Sequence, residues 1–238
     1  MSSRADRLVV ALALSSGPLV SLGLAALGTR ATDEPPPVAT EHRRWDRRRV
    51  GWLTAGYAFF GLGYIAYLTF VVAFLQEQGV GLRTTAAFWV VTGLAASGGW
   101  LVWSPVLGRL GGARSMTVIM TVLAAGTVLP VLVPQTWAFY VSGVVVGGTF
   151  LSTVTSVTIG IRQALPQGLW TSGLGFATVT FGVGQTAGPW LTGWVSDVMQ
   201  SLGSGLVLSG ALLVTGALLA LGQREPKGTD RAGDTSST

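Results

Sequence analysis

The stretch TWAFYVSGVVVGGTFLSTVTSVTIGI, Thr136 to Ile161, contains no Asp, Glu, Lys, Arg or His. A hydrocarbon layer of about 30 Å is crossed by about 20 apolar residues rising 1.5 Å each. A charge-free run of this length therefore reads as a membrane-spanning helix. Working outward, the same reading applies to 50–74, 86–107 and 115–133 before it, and to 169–196 and 203–222 after it. A seventh run, 8–28, lies near the start. One such run could hide in a soluble core, but seven in 238 residues exceed any interior this chain could build. The expected fold class is all-α, a polytopic helical membrane protein of about seven transmembrane helices.

Composition points the same way. Hydrophobic residues make up 49% and charged residues 11%, and the 34 glycines are more than soluble helices tolerate. The net charge of +5 would suggest nucleic acid in a soluble protein. Here the basic residues fall in loops between the runs, so membrane orientation accounts for them and no nucleic-acid partner is expected. There is no cysteine, which excludes disulfides, iron–sulfur clusters and thiolate metal sites. The single histidine, His42, lies in a polar linker, so no metal or cofactor site is expected within the membrane. The only lysine is Lys227, beyond the last run, which excludes a retinal Schiff base. No phosphate-binding glycine loop of the Walker type occurs.

The loops alternate in charge. Twelve basic residues fall on one side: Arg30, Arg43, Arg44, Arg47, Arg48, Arg49, Arg109, Arg114, Arg162, Arg224, Lys227 and Arg231. Arg4, Arg7 and Arg83 fall on the other. The positive-inside rule places the twelve in the cytoplasm, with the C-terminus cytoplasmic in a plasma (inner) membrane. Two arginines ahead of the first run oppose this, and that start also looks like a signal peptide's basic region, with Ala25-Ala26-Leu27-Gly28 as a weak cleavage site. The six arginines of 29–49 outweigh it. The expected organisation is a single helix at 1–28, a cytoplasmic linker at 29–49, six helices over 50–222 and a disordered cytoplasmic tail at 223–238. The linker opens stiffly at Pro35-Pro36-Pro37 and ends basic around Trp45, as a solvated stop-transfer cluster or as a segment on anionic lipid. The six helices separate as three plus three, a construction that many secondary transporters share.

Several segments then resemble one family. The run Gly56-Tyr57-Ala58-Phe59-Phe60-Gly61-Leu62-Gly63-Tyr64 through Phe70 resembles the seventh helix of a major facilitator superfamily transporter, of the YbfB/YjiJ-type subgroup. Gly184-Gln185-Thr186-Ala187-Gly188-Pro189, with Gly193 and Asp197, looks like that family's eleventh helix. Gly108-Arg109, with Gly111, Gly112 and Arg114, stands where the family repeats its cytoplasmic loop signature, here without the usual Asp before the Arg. Arg162 to Pro166 is similar to the exit of the tenth helix. The resemblance covers 8–222 and implies one helix plus the six-helix C-terminal half of a twelve-helix transporter. Its function would be alternating access for an unknown small-molecule substrate. Partners beyond the lipid bilayer would be a separate N-terminal half or further copies of the chain, or else the chain is a truncated product.

Candidate site residues follow. Tyr57, Phe60, Gly61, Tyr64, Tyr67 and Phe70 recur on one side of 50–74. The resemblance implies cavity lining by this helix, while helix packing is the simpler alternative. Thr149, Ser152, Thr153, Ser156 and Gly160 form a hydroxyl stripe on 136–161. They either line the same cavity or bond their own backbone and let helices approach. Gln185 is a lone amide at membrane depth, suited to a cross-helix bond or to substrate. Gly184, Gly188 and Pro189 beside it suit close crossing and gating. No ionisable residue lies in the middle of any run, although proton-coupled transporters use one there. That absence keeps a second reading open, a membrane scaffold without transport, and it argues against an intramembrane enzyme.

Overall fold

The computed structural model describes residues 46–223, all within one compact unit, Glu41–Thr238. The run 8–28, the linker as far as residue 45 and the tail from 224 lie outside the described residues.

The described residues are helical. A short 3-10 turn, Arg47–Val50, leads into α1, Gly51–Glu77. Then follow α2, Leu82–Leu132; α3, Thr136–Ala164; α4, Trp170–Met199; and α5, Leu202–Leu221. A second 3-10 turn, Gln167–Leu169, joins α3 to α4. Each helix embeds one of the charge-free runs, and α2 takes in two of them, 86–107 and 115–133. Four segments are long and apolar enough to cross a membrane: Arg47–Glu77, Leu82–Leu132, Thr136–Ala164 and Leu202–Leu221. The 30-residue α4 is not among them, because Gly, Ser and Thr dilute its apolar content.

α2 is a hairpin made without a loop. Gly111 has φ 76° and ψ −170°, a region open essentially to glycine alone, and it breaks the helix into two arms. Both arms then run beside α3. Thr92 of the first arm lies against Gly147, and Gly126 of the second lies against Val145. The break strands polar backbone groups, and neighbouring side chains take them up. Gly112 N–H donates to Gln163 Oε1 of α3 at 2.9 Å. Ser115 Oγ donates across the break to the Val106 carbonyl at 3.2 Å.

Glycine sets the crossings. In lipid the hydrophobic effect does not press helices together, so backbone proximity and packing must. α1 runs parallel to α4, with Gly184 against the Ala58 carbonyl and Gly188 against that of Leu62. It runs antiparallel to α5, where a Cβ on Gly56 would come 2.7 Å from the Gly216 oxygen. The first arm of α2 runs parallel to α3 through Gly99 and Gly148. The second arm packs antiparallel on α5, with Gly216 against Met120 and Gly203 against Val131. The two sequence trios therefore interleave. Phe60, Tyr67, Phe88, Met116, Met120, Leu123, Leu206 and Leu213 form the wholly buried centre.

At the end of the bundle that holds the Gly111 break, further contacts close the structure. Asp46 Oδ1 accepts from Arg48 N–H at 3.0 Å. Gln223, just past α5, donates through Nε2 to the Arg49 carbonyl at 2.6 Å and accepts from Leu53 N–H at 3.2 Å. The guanidinium of Arg47 lies 5.3 Å over the Phe176 ring, and that of Arg162 lies 5.1 Å over Trp170. All six described arginines of the basic set are here: Arg47, Arg48, Arg49, Arg109, Arg114 and Arg162. The other end carries Glu77, Arg83 and Asp197.

Candidate functional site

α1 presents aromatic residues at spacings of three and four, so their rings stack along one flank. The structure extends this flank on both sides. The ring of Phe181 on α4 lies 4.6 Å from that of Tyr57, Tyr57 5.8 Å from Phe60, Phe60 5.0 Å from Tyr64, and Tyr64 5.3 Å from Phe150 on α3. Successive planes are within 13° of one another. Five rings thus form a continuous row across three helices. Such pairs contribute roughly 0.5–1.5 kcal/mol each beyond burial. Phe60 is buried at the centre, while Tyr64, Phe150 and Phe181 are only half-buried.

Tyr67 stands apart from the row. It is fully buried, and its hydroxyl lies 2.6 Å from Ser142 Oγ on α3. Ser142 Oγ donates to the Gly126 carbonyl at 2.7 Å, so the tyrosine hydroxyl donates to the serine. This chain ties α1, α3 and the second arm of α2 at membrane depth, and its hydroxyl is fully engaged.

The hydroxyl stripe of α3 divides. Thr149 Oγ1 donates to the Val145 carbonyl at 2.6 Å, and Ser156 Oγ donates to the Thr153 carbonyl at 2.6 Å. The Ser156 carbonyl faces Gly112, so that part of the stripe packs against α2. Ser152 is buried on the same side. Thr153 lies three residues from Phe150, wholly buried, and its hydroxyl has no partner among the described residues.

On α4, Gln185 is half-buried one turn beyond Phe181, on the same flank. Its backbone nitrogen would lie 3.1 Å from a Cβ on Gly61. Gly184 and Gly188 seat α4 on α1. Pro189 lies inside α4 without ending it and leaves the Gln185 carbonyl without its usual donor. Gly108 and Arg109 are exposed at the end of the first arm of α2, and Arg114 is exposed just past the break.

The arrangement brings Tyr57, Tyr64 and Gln185 to one wall. It places Tyr67 and Ser156 in packing contacts, buries Ser152, and sets the Gly108, Arg109 and Arg114 group at the basic end. Phe150, Phe181 and Gln163 join the functional geometry without having stood out in the sequence. Phe181 had one readable signal, its position a turn before Gln185.

No cluster of His, Asp or Glu able to hold a metal occurs among the described residues. An all-helical bundle with spans this apolar is a polytopic membrane protein. Over residues 8–221 the chain matches the family described as "Uncharacterised MFS-type transporter YbfB", and it belongs to that family of the major facilitator superfamily. No curated protein matches the chain.

Proposed function

We propose that this chain carries a small solute across the plasma membrane by alternating access, supplying one six-helix wall of the path. The observation that carries the reading is the row of five rings, which joins α1, α3 and α4 into a single surface with tyrosine hydroxyls and an amide beside it. Family membership supports the transporter class. In this reading α2 crosses twice and α4 once, so α1 to α5 make six crossings, and 8–28 makes the seventh. The basic end faces the cytoplasm, as the arginines require.

The outer face of α4 suits the second wall. Val179, Val183, Trp190 and Trp194 stand exposed there beside an open hollow of about 730 Å3 lined by Gly182, Val183, Thr186, Ala187 and Trp190. Between those bulky side chains the hollow is lined by the small residues Gly182 and Ala187, which would let another helix approach closely. The helix would come from a separate N-terminal half or from a second copy.

Reconstitution into liposomes tests this. The chain alone is expected to give no solute flux, and the assembly with a second wall is expected to give saturable flux. Robust transport by monomers would overturn the half-transporter reading. Unchanged flux in an assembly carrying Tyr57→Ala and Gln185→Ala would favour a scaffold without transport.

A further inference from the structure

The wall has a definite chemistry. On α1, α3 and α4 every described side chain charged at neutral pH lies at or near a helix end, at Glu77, Arg162 and Asp197, with Arg47 to Arg49 just before α1. The Arg47 guanidinium is held over the Phe176 ring, five residues or about 7.5 Å along α4 from Phe181 at the end of the row. Thirteen residues separate Tyr64 from Glu77, about 20 Å. A charged solute at the middle of the row, by Phe60 and Tyr64, would leave water without a counter-charge from this wall to meet it. The row instead offers rings in near-parallel planes, which favour another flat ring at an end or edge.

The polar groups beside the row are neutral and unspent. The hydroxyls of Tyr57 and Tyr64 and the carboxamide of Gln185 make no hydrogen bond among the described residues, in contrast to Tyr67. Thr153 Oγ1 is wholly buried and also unpartnered. The two tyrosine hydroxyls and the carboxamide supply donors and acceptors without charge, whereas the buried Thr153 is out of a solute's reach in this structure. A cationic ring gains little here, because the inner ring faces are covered by one another and no carboxylate is within the row.

Accepting the transport reading above, we infer that this wall selects a neutral, planar aromatic solute carrying at least one hydrogen-bonding group. Carboxylates, quaternary ammonium ions and aliphatic rings of the same size are discriminated against. Ring stacking supplies recognition of the flat surface, and Gln185 with the two tyrosine hydroxyls reads the polar group.

The test uses the full chain in phosphatidylcholine nanodiscs, with benzamide, benzoate, benzyltrimethylammonium and cyclohexanecarboxamide as probes and saturation-transfer NMR as the readout. Benzamide is expected to bind saturably and to be displaced poorly by the other three. Tyr64→Ala and Gln185→Leu are each expected to weaken it about tenfold, the effect of losing one ring contact or one hydrogen bond. Tyr64→Phe is expected to retain the larger part of binding. The melting profile of each variant shows that it is folded, and Gln185→Leu preserves bulk if Tyr64→Ala does not fold. Equal binding of benzoate or cyclohexanecarboxamide, unchanged affinity in both variants, or no saturable benzamide binding would each overturn the inference. Flux is measured separately in the complete assembly. Benzamide binding without flux removes transport and leaves the wall's chemistry standing. Flux of a charged or aliphatic solute that depends on Tyr57 and Tyr64 removes the chemistry and leaves transport standing.

Discussion

Tyr57, Tyr64 and Tyr67 share one flank of α1 and meet different fates. Sequence spacing groups them, because a helix returns to the same face every three or four residues. It does not show which neighbour each one meets, since that depends on how helices distant in the chain cross. Tyr67 meets Ser142 and becomes structural, whereas Tyr57 meets Phe181 and is buried with its hydroxyl unbonded among the described residues, and Tyr64 meets Phe150 and stays half-buried. Tyr67→Phe is expected to lower stability by about 1 kcal/mol, the usual net worth of one such hydrogen bond, read as the shift in a reversible unfolding titration in mixed micelles. Phe181→Leu keeps apolar bulk and is expected to lose roughly 1 kcal/mol of ring pairing with Tyr57. A double-mutant cycle with Tyr57→Leu isolates that term. The hydroxyl stripe was also legible as one face of α3, but Ser156 turned to α2 and Thr153 was left unpartnered, which only the packing reveals.

Charge-free runs predict the helices closely, because a charged side chain at bilayer depth is expelled to an end whatever the tertiary fold. The joint within α2 is different. Gly108 to Arg114 reads as a loop in sequence, yet its chain reverses at the single residue Gly111. Gly111→Ala is expected to cost about 1–3 kcal/mol, the strain of a side chain in that backbone region. The loss should show as a lower melting temperature with helical content unchanged. Gln163 was quoted only as part of a helix exit. Its role as the acceptor for Gly112 N–H depends on the parallel packing of α3 beside α2, which no local pattern encodes. Gln163→Leu leaves that donor unpaired and is expected to cost about 1–3 kcal/mol, with faster hydrogen exchange at Gly112 than elsewhere in the arm.

The bundle as a body is polarised by its arginines and seamed by its glycines. Because the chain lacks cysteine, single cysteines at the exposed turns Gln135 and Gln167 report orientation without background. Gln167→Cys is expected to be protected from a membrane-impermeant maleimide added to intact cells, and Gln135→Cys to be labelled. The reverse pattern would overturn the proposed orientation. Gly184→Leu and Gly188→Leu are each expected to cost about 3 kcal/mol or more, since overpacking must push α4 away from α1, and to leave the protein sensitive to protease in membranes. At these seams backbone meets backbone, with Gly184 on Ala58, Gly188 on Leu62 and Gly99 on Gly148. No side chain lies between to swing into another rotamer and absorb a push. A displacement of α4 at these seams would therefore pass to α1 directly, while Pro189, where the helix lacks a hydrogen bond, is the place where α4 can bend.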